Sequence, residues 1–136
     1  VCYHDSGFLR GVTDGHEEIS CTIARETLSG FQYTFEEIDH ICGMIMSTKI
    51  PQRPRTRLEM IVADADLDYL GREDFFILGD KLYKELLGSG VVATLPEWHQ
   101  KQVTFLENHR YFTRTSISLR DDLKKQHLEA IRAKLK

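Results

Sequence analysis

What most narrows the fold of this chain is a repeated local grammar: an apolar stripe at helical spacing, opened by a capping residue with Glu three positions on and closed by Gly or Pro. Thr34 and Glu37 stand before Ile38, Ile41, Cys42, Ile45 and Met46; Thr56 and Glu59 open a second stripe of Leu58, Ile61, Val62, Ala65 and Tyr69. Asp14 and Glu17 make a similar pair, with Asp in place of Ser, before Ile19, Ile23, Ala24 and Leu28, and Gly30 follows as a stop. Phe75, Leu78, Leu82, Leu86 and Leu87 form a stripe ending at Gly88 and Gly90. Thr94, Pro96 and Glu97 read as N-cap, early-turn proline and N3 glutamate of a helix carrying Trp98, Val103, Phe105, Leu106 and, near its end, Tyr111 and Phe112. A last helix over 116–135 repeats Leu119, Leu123, Leu128, Ile131 and Leu135, with cations at its C-terminal end. Between the second and third helices Lys49-Ile-Pro-Gln-Arg-Pro54 is a loop, because each proline disfavours helical geometry in the residue before it. Sustained strand alternation and Asn-Gly hairpin turns are missing, so the expected class is all-α.

A chain of 136 residues has the size of one domain, and no repeat or linker argues for a second. Its 41% hydrophobic and 29% charged content, with 3 Pro and 9 Gly, excludes a disordered tail or a low-complexity array. A formal net charge of −3 leaves no positive excess to neutralise a phosphate backbone or an anionic membrane, which argues against a nucleic-acid polymer as partner. No apolar run approaches the roughly 20 residues of a membrane helix, and no basic then apolar leader opens the chain. The expectation is a cytoplasmic protein with no membrane contact, in which Cys2, Cys21 and Cys42 are reduced and largely buried.

Chemistry enters at two places. His4-Asp5 runs out of an apolar segment into Ser6-Gly7, and an imidazole beside a carboxylate suits a divalent transition metal. Taken alone, most such dipeptides are surface residues. The segment Ile61-Val-Ala-Asp-Ala-Asp-Leu-Asp-Tyr-Leu-Gly71 adds Asp64, Asp66 and Asp68 to an otherwise apolar helix. Asp competes for backbone hydrogen bonds inside a helix, and burying an unpaired carboxylate costs several kcal/mol, a penalty a cation removes. At about 100° per residue Asp66 falls near about 140° and Asp64 near about −60° from Ile61, both bordering the apolar stripe, so helical geometry leaves the choice open. A solvated acidic face accounts for at least one of the three.

In this order, His4-Asp5, His16-Glu17-Glu18-Ile19, Thr48-Lys-Ile-Pro-Gln-Arg-Pro54 and Asp64-Ala-Asp-Leu-Asp-Tyr-Leu-Gly-Arg72-Glu-Asp-Phe75 resemble the HD-domain metal-dependent phosphohydrolase superfamily, most nearly a small uncharacterised bacterial branch of it. The resemblance covers roughly residues 1–87. The tail with Phe105, His109, Tyr111 and Phe112 is similar as well.

The resemblance implies an HD-domain-like helical bundle over 1–136, with a motif core at 1–87 and C-terminal helices over 94–135. It implies a divalent metal ion (Mn, Fe, Co, Ni, Zn or Mg) held by an early His, the His-Asp pair and a late Asp. His4 and Asp5 carry over directly, and Asp66 matches the late ligand best, with Asp64 as second choice. The early His of the superfamily lies on a helix before the pair, so the expectation is a bundle whose N-terminal helix is missing and whose metal site is open on one side. His16 is then a second-metal ligand or a phosphate-binding imidazole, or else an exposed first-turn residue. Lys49 pairs with a substrate phosphate or satisfies a helix dipole, Arg72 is a pocket cation or a surface residue, and Glu17 caps a helix. Asp64, where not a ligand, is a proton acceptor.

The implied activity is hydrolysis of a phosphomonoester or nucleotide phosphate by metal-activated water, on a small phosphorylated substrate, nucleotides included. Two rivals come from other classes: a degenerate or truncated HD module with a binding or regulatory role, and an HD-type diiron oxygenase, which needs more His and Asp ligands than His16 can supply. His40, His99, His109 and His127 show no carboxylate partner in the sequence and are assigned no chemistry.

Overall fold

A computed structural model describes residues 2–11 and 15–136. Among the described residues there are six α-helices, three short 3-10 turns and no strand, the all-α class that the capping grammar implies. The chain divides into two compact units, Val1–Asp66 and Leu67–Lys136.

The N-terminal unit holds a 3-10 turn at Ser6–Arg10, α1 (His16–Leu28), α2 (Phe35–Met46) and α3 (Arg57–Asp66). Helix α1 packs against the first turn and α2, and α2 against α3. Its core is Ala24, Leu28, Ile38, Cys42 and Ile45, with Tyr3, Cys21 and Ile41 against it. The capping box of α2 is complete: Thr34 Oγ1 accepts from the Glu37 N–H at 3.2 Å, and Glu37 Oε2 accepts from the Thr34 N–H at 2.8 Å. Thr56 Oγ1 likewise accepts from Glu59 N–H at 3.3 Å.

Four expectations for this unit need correction. Asp14 lies outside the described residues, and the N-cap of α1 is Gly15, at φ 73°, so Glu17 does not serve as the cap partner and is buried instead, at 5% exposure. Gly30 is not the stop: α1 runs into a 3-10 turn at Ser29–Phe31, and Gln32 takes the left-handed conformation at φ 64°. The buried face of α3 is Val62, Ala63 and Asp64 rather than the stripe through Leu58, Ile61 and Ala65; Leu58 is 59% and Ile61 46% exposed. A helix of ten residues is too short for periodicity to fix its rotation. Of the thiols, Cys42 is buried and Cys21 half-buried, but Cys2 is exposed; all three are free.

The C-terminal unit holds a 3-10 turn at Asp68–Gly71, α4 (Phe75–Gly88), α5 (Leu95–Asn108) and α6 (Arg114–Lys134). Its core is Leu67, Leu70, Phe75, Val103, Leu106 and Ile131. Thr94 Oγ1 accepts from Glu97 N–H at 3.3 Å, as its spacing implies. Tyr69 falls in the 3-10 turn beyond α3, and Tyr111 and Phe112 lie past the end of α5. Tyr111 is buried, its hydroxyl donating to the Leu67 carbonyl at 3.2 Å. The expected stripe of α6 holds in part: Ile131 is fully buried and Leu128 packs on the core, but Lys124 and His127 are buried beside them while Leu119 is 62% exposed. Two carbonyls account for this, because the Lys124 ammonium donates to the His109 carbonyl at 2.7 Å and His127 Nδ1 lies 2.9 Å from the Leu70 carbonyl.

Candidate functional site

The N-terminal turn is fastened to α1 by backbone geometry before any side-chain chemistry begins. Gly7 lies so close to the start of α1 that a Cβ there would meet the His16 carbonyl oxygen at 2.1 Å, so no other residue fits without backbone movement. Ser20, fully buried on α1, accepts a hydrogen bond from Gly7 N–H at 2.8 Å and donates its own hydroxyl to the His4 carbonyl at 2.8 Å. This clamp sets the His4-Asp5 backbone over the first turn of α1.

The side chains converge there with the C-terminal residue of α3. His4 Nε2 lies 3.0 Å from Asp5 Oδ2 and 3.0 Å from Asp66 Oδ1. His16 Nε2 stands 3.7 Å from Asp5 Oδ1 and 3.5 Å from Glu17 Oε1, near enough for electrostatic coupling and too far for a good hydrogen bond. Its ring stacks on Phe8 with centroids 4.0 Å apart. The His4, His16 and Asp66 side chains are about one-fifth exposed, at 21%, 19% and 23%, and Asp5 opens to solvent at 59%. Burial raises the Asp66 carboxyl above the usual Asp range, opposed by the His4 imidazole and reinforced by the Asp5 charge.

The residues expected at the site are therefore distributed as follows. The structure brings together His4, Asp5, Asp66 and His16. It buries Asp64 on the same helix, at 2% exposure. Lys49 forms an ion pair with Glu18, both side chains well exposed, and holds the Glu18 carboxyl below its ordinary range. Arg72 pairs with Asp74 at 2.6 Å, and Asp68 with Arg120 at 2.6 Å, so the third aspartate of the α3 segment belongs to a structural ion pair.

Ser20, Gly7 and Phe8 are the participants to which motif reading gives no role, and Glu17 is one it assigns only to a cap. Glu17, Ser20, Ala24 and Leu28 recur on one stripe of α1, so helical periodicity could have flagged a buried polar pair. Nothing in the sequence marks Phe8.

Among the described residues no group of three or more His, Cys, Asp or Glu side chains forms a ready-made metal cage; His4, Asp5 and Asp66 meet instead as a hydrogen-bonded ion-pair cluster. Their chemistry nevertheless suits a divalent cation, since one imidazole and two carboxylates are borderline-to-hard donors. Their spacing is that of a direct hydrogen-bonded ion pair, with His4 Nε2 3.0 Å from each of the two carboxylates. No family model matches this chain, and no curated protein or solved structure does either.

Proposed function

We propose that this chain is a metal-dependent phosphohydrolase acting on small phosphorylated substrates, phosphomonoesters or nucleotides, and that its bundle is HD-domain-like. One observation supports this above the rest: Asp66, distant in sequence from the His4-Asp5 pair, meets it so that His4 Nε2 lies 3.0 Å from one oxygen of each carboxylate at a half-open surface. His4, Asp5 and Asp66 are the residues that would hold the cation. When bound, Mn, Fe, Co, Ni, Zn or Mg supplies Lewis-acid polarisation of a phosphoryl oxygen and acidifies water near neutrality.

The remaining steps belong to the chain's own groups. His16, stacked on Phe8 and facing the carboxylates of Asp5 and Glu17, is placed to meet a phosphoryl oxygen. The first turn of α1 adds backbone N–H groups, and among the described residues no side chain caps them. Lys49 can exchange Glu18 for a substrate phosphate at small loss, because an exposed ion pair contributes only about 0–1 kcal/mol. With Asp64 buried, the proton released by the attacking water falls to the exposed Asp5 carboxylate or to His16, and the cleaved P–O bond leaves an alcohol and inorganic phosphate.

The test is hydrolysis of p-nitrophenyl phosphate and of nucleoside monophosphates with Mn supplied. Expected is metal-dependent turnover that Asp5→Ala removes; protein that neither binds Mn nor turns over would sink the enzyme reading. A second reading, a binding or regulatory HD-like module, is favoured by one observation: His4 Nε2 already lies 3.0 Å from both carboxylates, an ion-pair cluster formed without a cation. Under that reading Mn leaves His4 and Asp66 NMR signals unmoved.

A further inference from the structure

The C-terminal unit contains a cavity of about 190 Å³ between α4, α5 and the Asp68–Gly71 turn. Its walls are aromatic: Tyr69, Phe75, Trp98 and Phe105. An apolar cavity of about 150 Å³ suffices to hold benzene, so this one admits a ring with a short substituent. Gly79 keeps it open, since a Cβ there would meet Gln102 Nε2 at 3.1 Å.

Three side chains of α5 bring hydrogen-bond donors to the cavity wall. Trp98, Lys101, Gln102 and Phe105 recur at i, i+3, i+4 and i+7 along α5, which places them on one face. Trp98 is only 8% exposed, but its indole N–H is not a buried group left without a partner; Gln102 is half-buried and Lys101 is exposed, so its ammonium stands at the rim in water. Indole and ammonium can only donate. A ligand that completes this site therefore has an aromatic body and an anionic acceptor.

We propose that the aromatic cavity of the C-terminal unit, with Trp98, Lys101 and Gln102 at its polar end, binds a small aromatic carboxylate. The ring lies among Tyr69, Phe75 and Phe105 while the carboxylate accepts from Lys101, Gln102 and the indole. This site does not depend on the phosphohydrolase reading, because none of its residues belongs to the His4 cluster.

Trp98 is the chain's single tryptophan, so its indole ¹⁵N–¹H resonance and its fluorescence report the site directly. Full-length protein titrated with phenylacetate is expected to give a saturable shift of that resonance at sub-millimolar to millimolar concentration, and the neutral isostere phenylacetamide to bind about tenfold more weakly. Lys101→Met, at an exposed position, should weaken phenylacetate about tenfold and leave phenylacetamide unchanged. Gly79→Val should abolish both, with helicity checked by circular dichroism. An unmoved Trp98 resonance, or equal affinity for acid and amide that Lys101→Met does not alter, overturns the proposal.

Discussion

Two histidines, one in each unit, show how partners decide what an imidazole can do. His4 faces two carboxylate oxygens at 3.0 Å and is 21% exposed, so its ring nitrogen is electrostatically primed and reachable from solvent. His127 is 6% exposed, its Nδ1 is 2.9 Å from the Leu70 carbonyl, and Phe75 stacks on it at 4.5 Å. That environment fixes the ring's orientation and shields it. The same side chain is a candidate ligand in one unit and a core strut in the other, and neither role follows from its sequence neighbours alone.

The comparison breaks first on activity. Replacing His4 with Ala or Asp66 with Asn should lower Mn-dependent phosphate-ester hydrolysis by about 100-fold or more, whereas folded His127→Ala should keep its rate within a few fold. Initial rates on p-nitrophenyl phosphate decide it, and equal losses in both histidine variants would erase the distinction.

Next in size are the two glycines at close backbone approaches, one per unit. A Cβ at Gly7 would meet the His16 carbonyl oxygen at 2.1 Å, and one at Gly71 the Arg120 carbonyl oxygen at 2.3 Å. Gly7→Ala and Gly71→Ala should each destabilise by about 3 kcal/mol or more, while Gly30→Ala, with nothing within 4 Å, should stay within about 0.5 kcal/mol. Urea midpoints of the three variants test this. His127→Leu follows at about 1–3 kcal/mol, because the buried Leu70 carbonyl loses its donor; the same urea series reads it.

Two aspartates sharpen the contrast through pH. Asp66 is raised by burial, so its stabilising effect is fully present below the ordinary carboxylate value and is lost as pH rises through the raised one. Asp121 is lowered, first by the hydrogen bond from Lys125 at 2.8 Å, so its contribution is present above the ordinary value and is lost as pH falls through the lowered one. Carboxyl ¹³C titration of metal-free protein should place Asp66 above and Asp121 below the usual value of about 3.9. Reversed order would contradict both assignments.

The smallest effect lies within the N-terminal unit. Burial first and Cys42 next push the Cys21 thiol up to about 12, whereas Cys2 is exposed. Iodoacetamide near neutral pH should modify Cys2 quickly and Cys21 and Cys42 only on unfolding, as read by peptide mass spectrometry.

Much of the fold is legible in the sequence, because caps and stops are local chemistry. Thr34 with Glu37 and Thr94 with Glu97 mark two helix starts correctly, since a hydroxyl and a carboxylate three residues apart can only reach the backbone in that geometry. Facing is less legible. In α6 the stripe places Leu128 and Ile131 correctly at the core but misses Lys124 and His127 beside them, buried because two carbonyls elsewhere in the unit needed donors. The same holds for α3, where Asp64 is buried and Leu58 is not.

By itself, then, the sequence determined the all-α class, most helix boundaries, the loop over 49–54 and the small set of His and Asp residues worth watching. These rest on interactions a few residues apart, which a chain carries wherever it goes. Only the tertiary structure brought Asp66 to His4, buried Asp64, gave Asp68 to Arg120 and made Gly7 and Ser20 the clamp of the turn. Those outcomes depend on which backbone groups meet across helices, and on the need to satisfy each buried donor and acceptor, a condition set by the whole packed unit rather than by any local stretch.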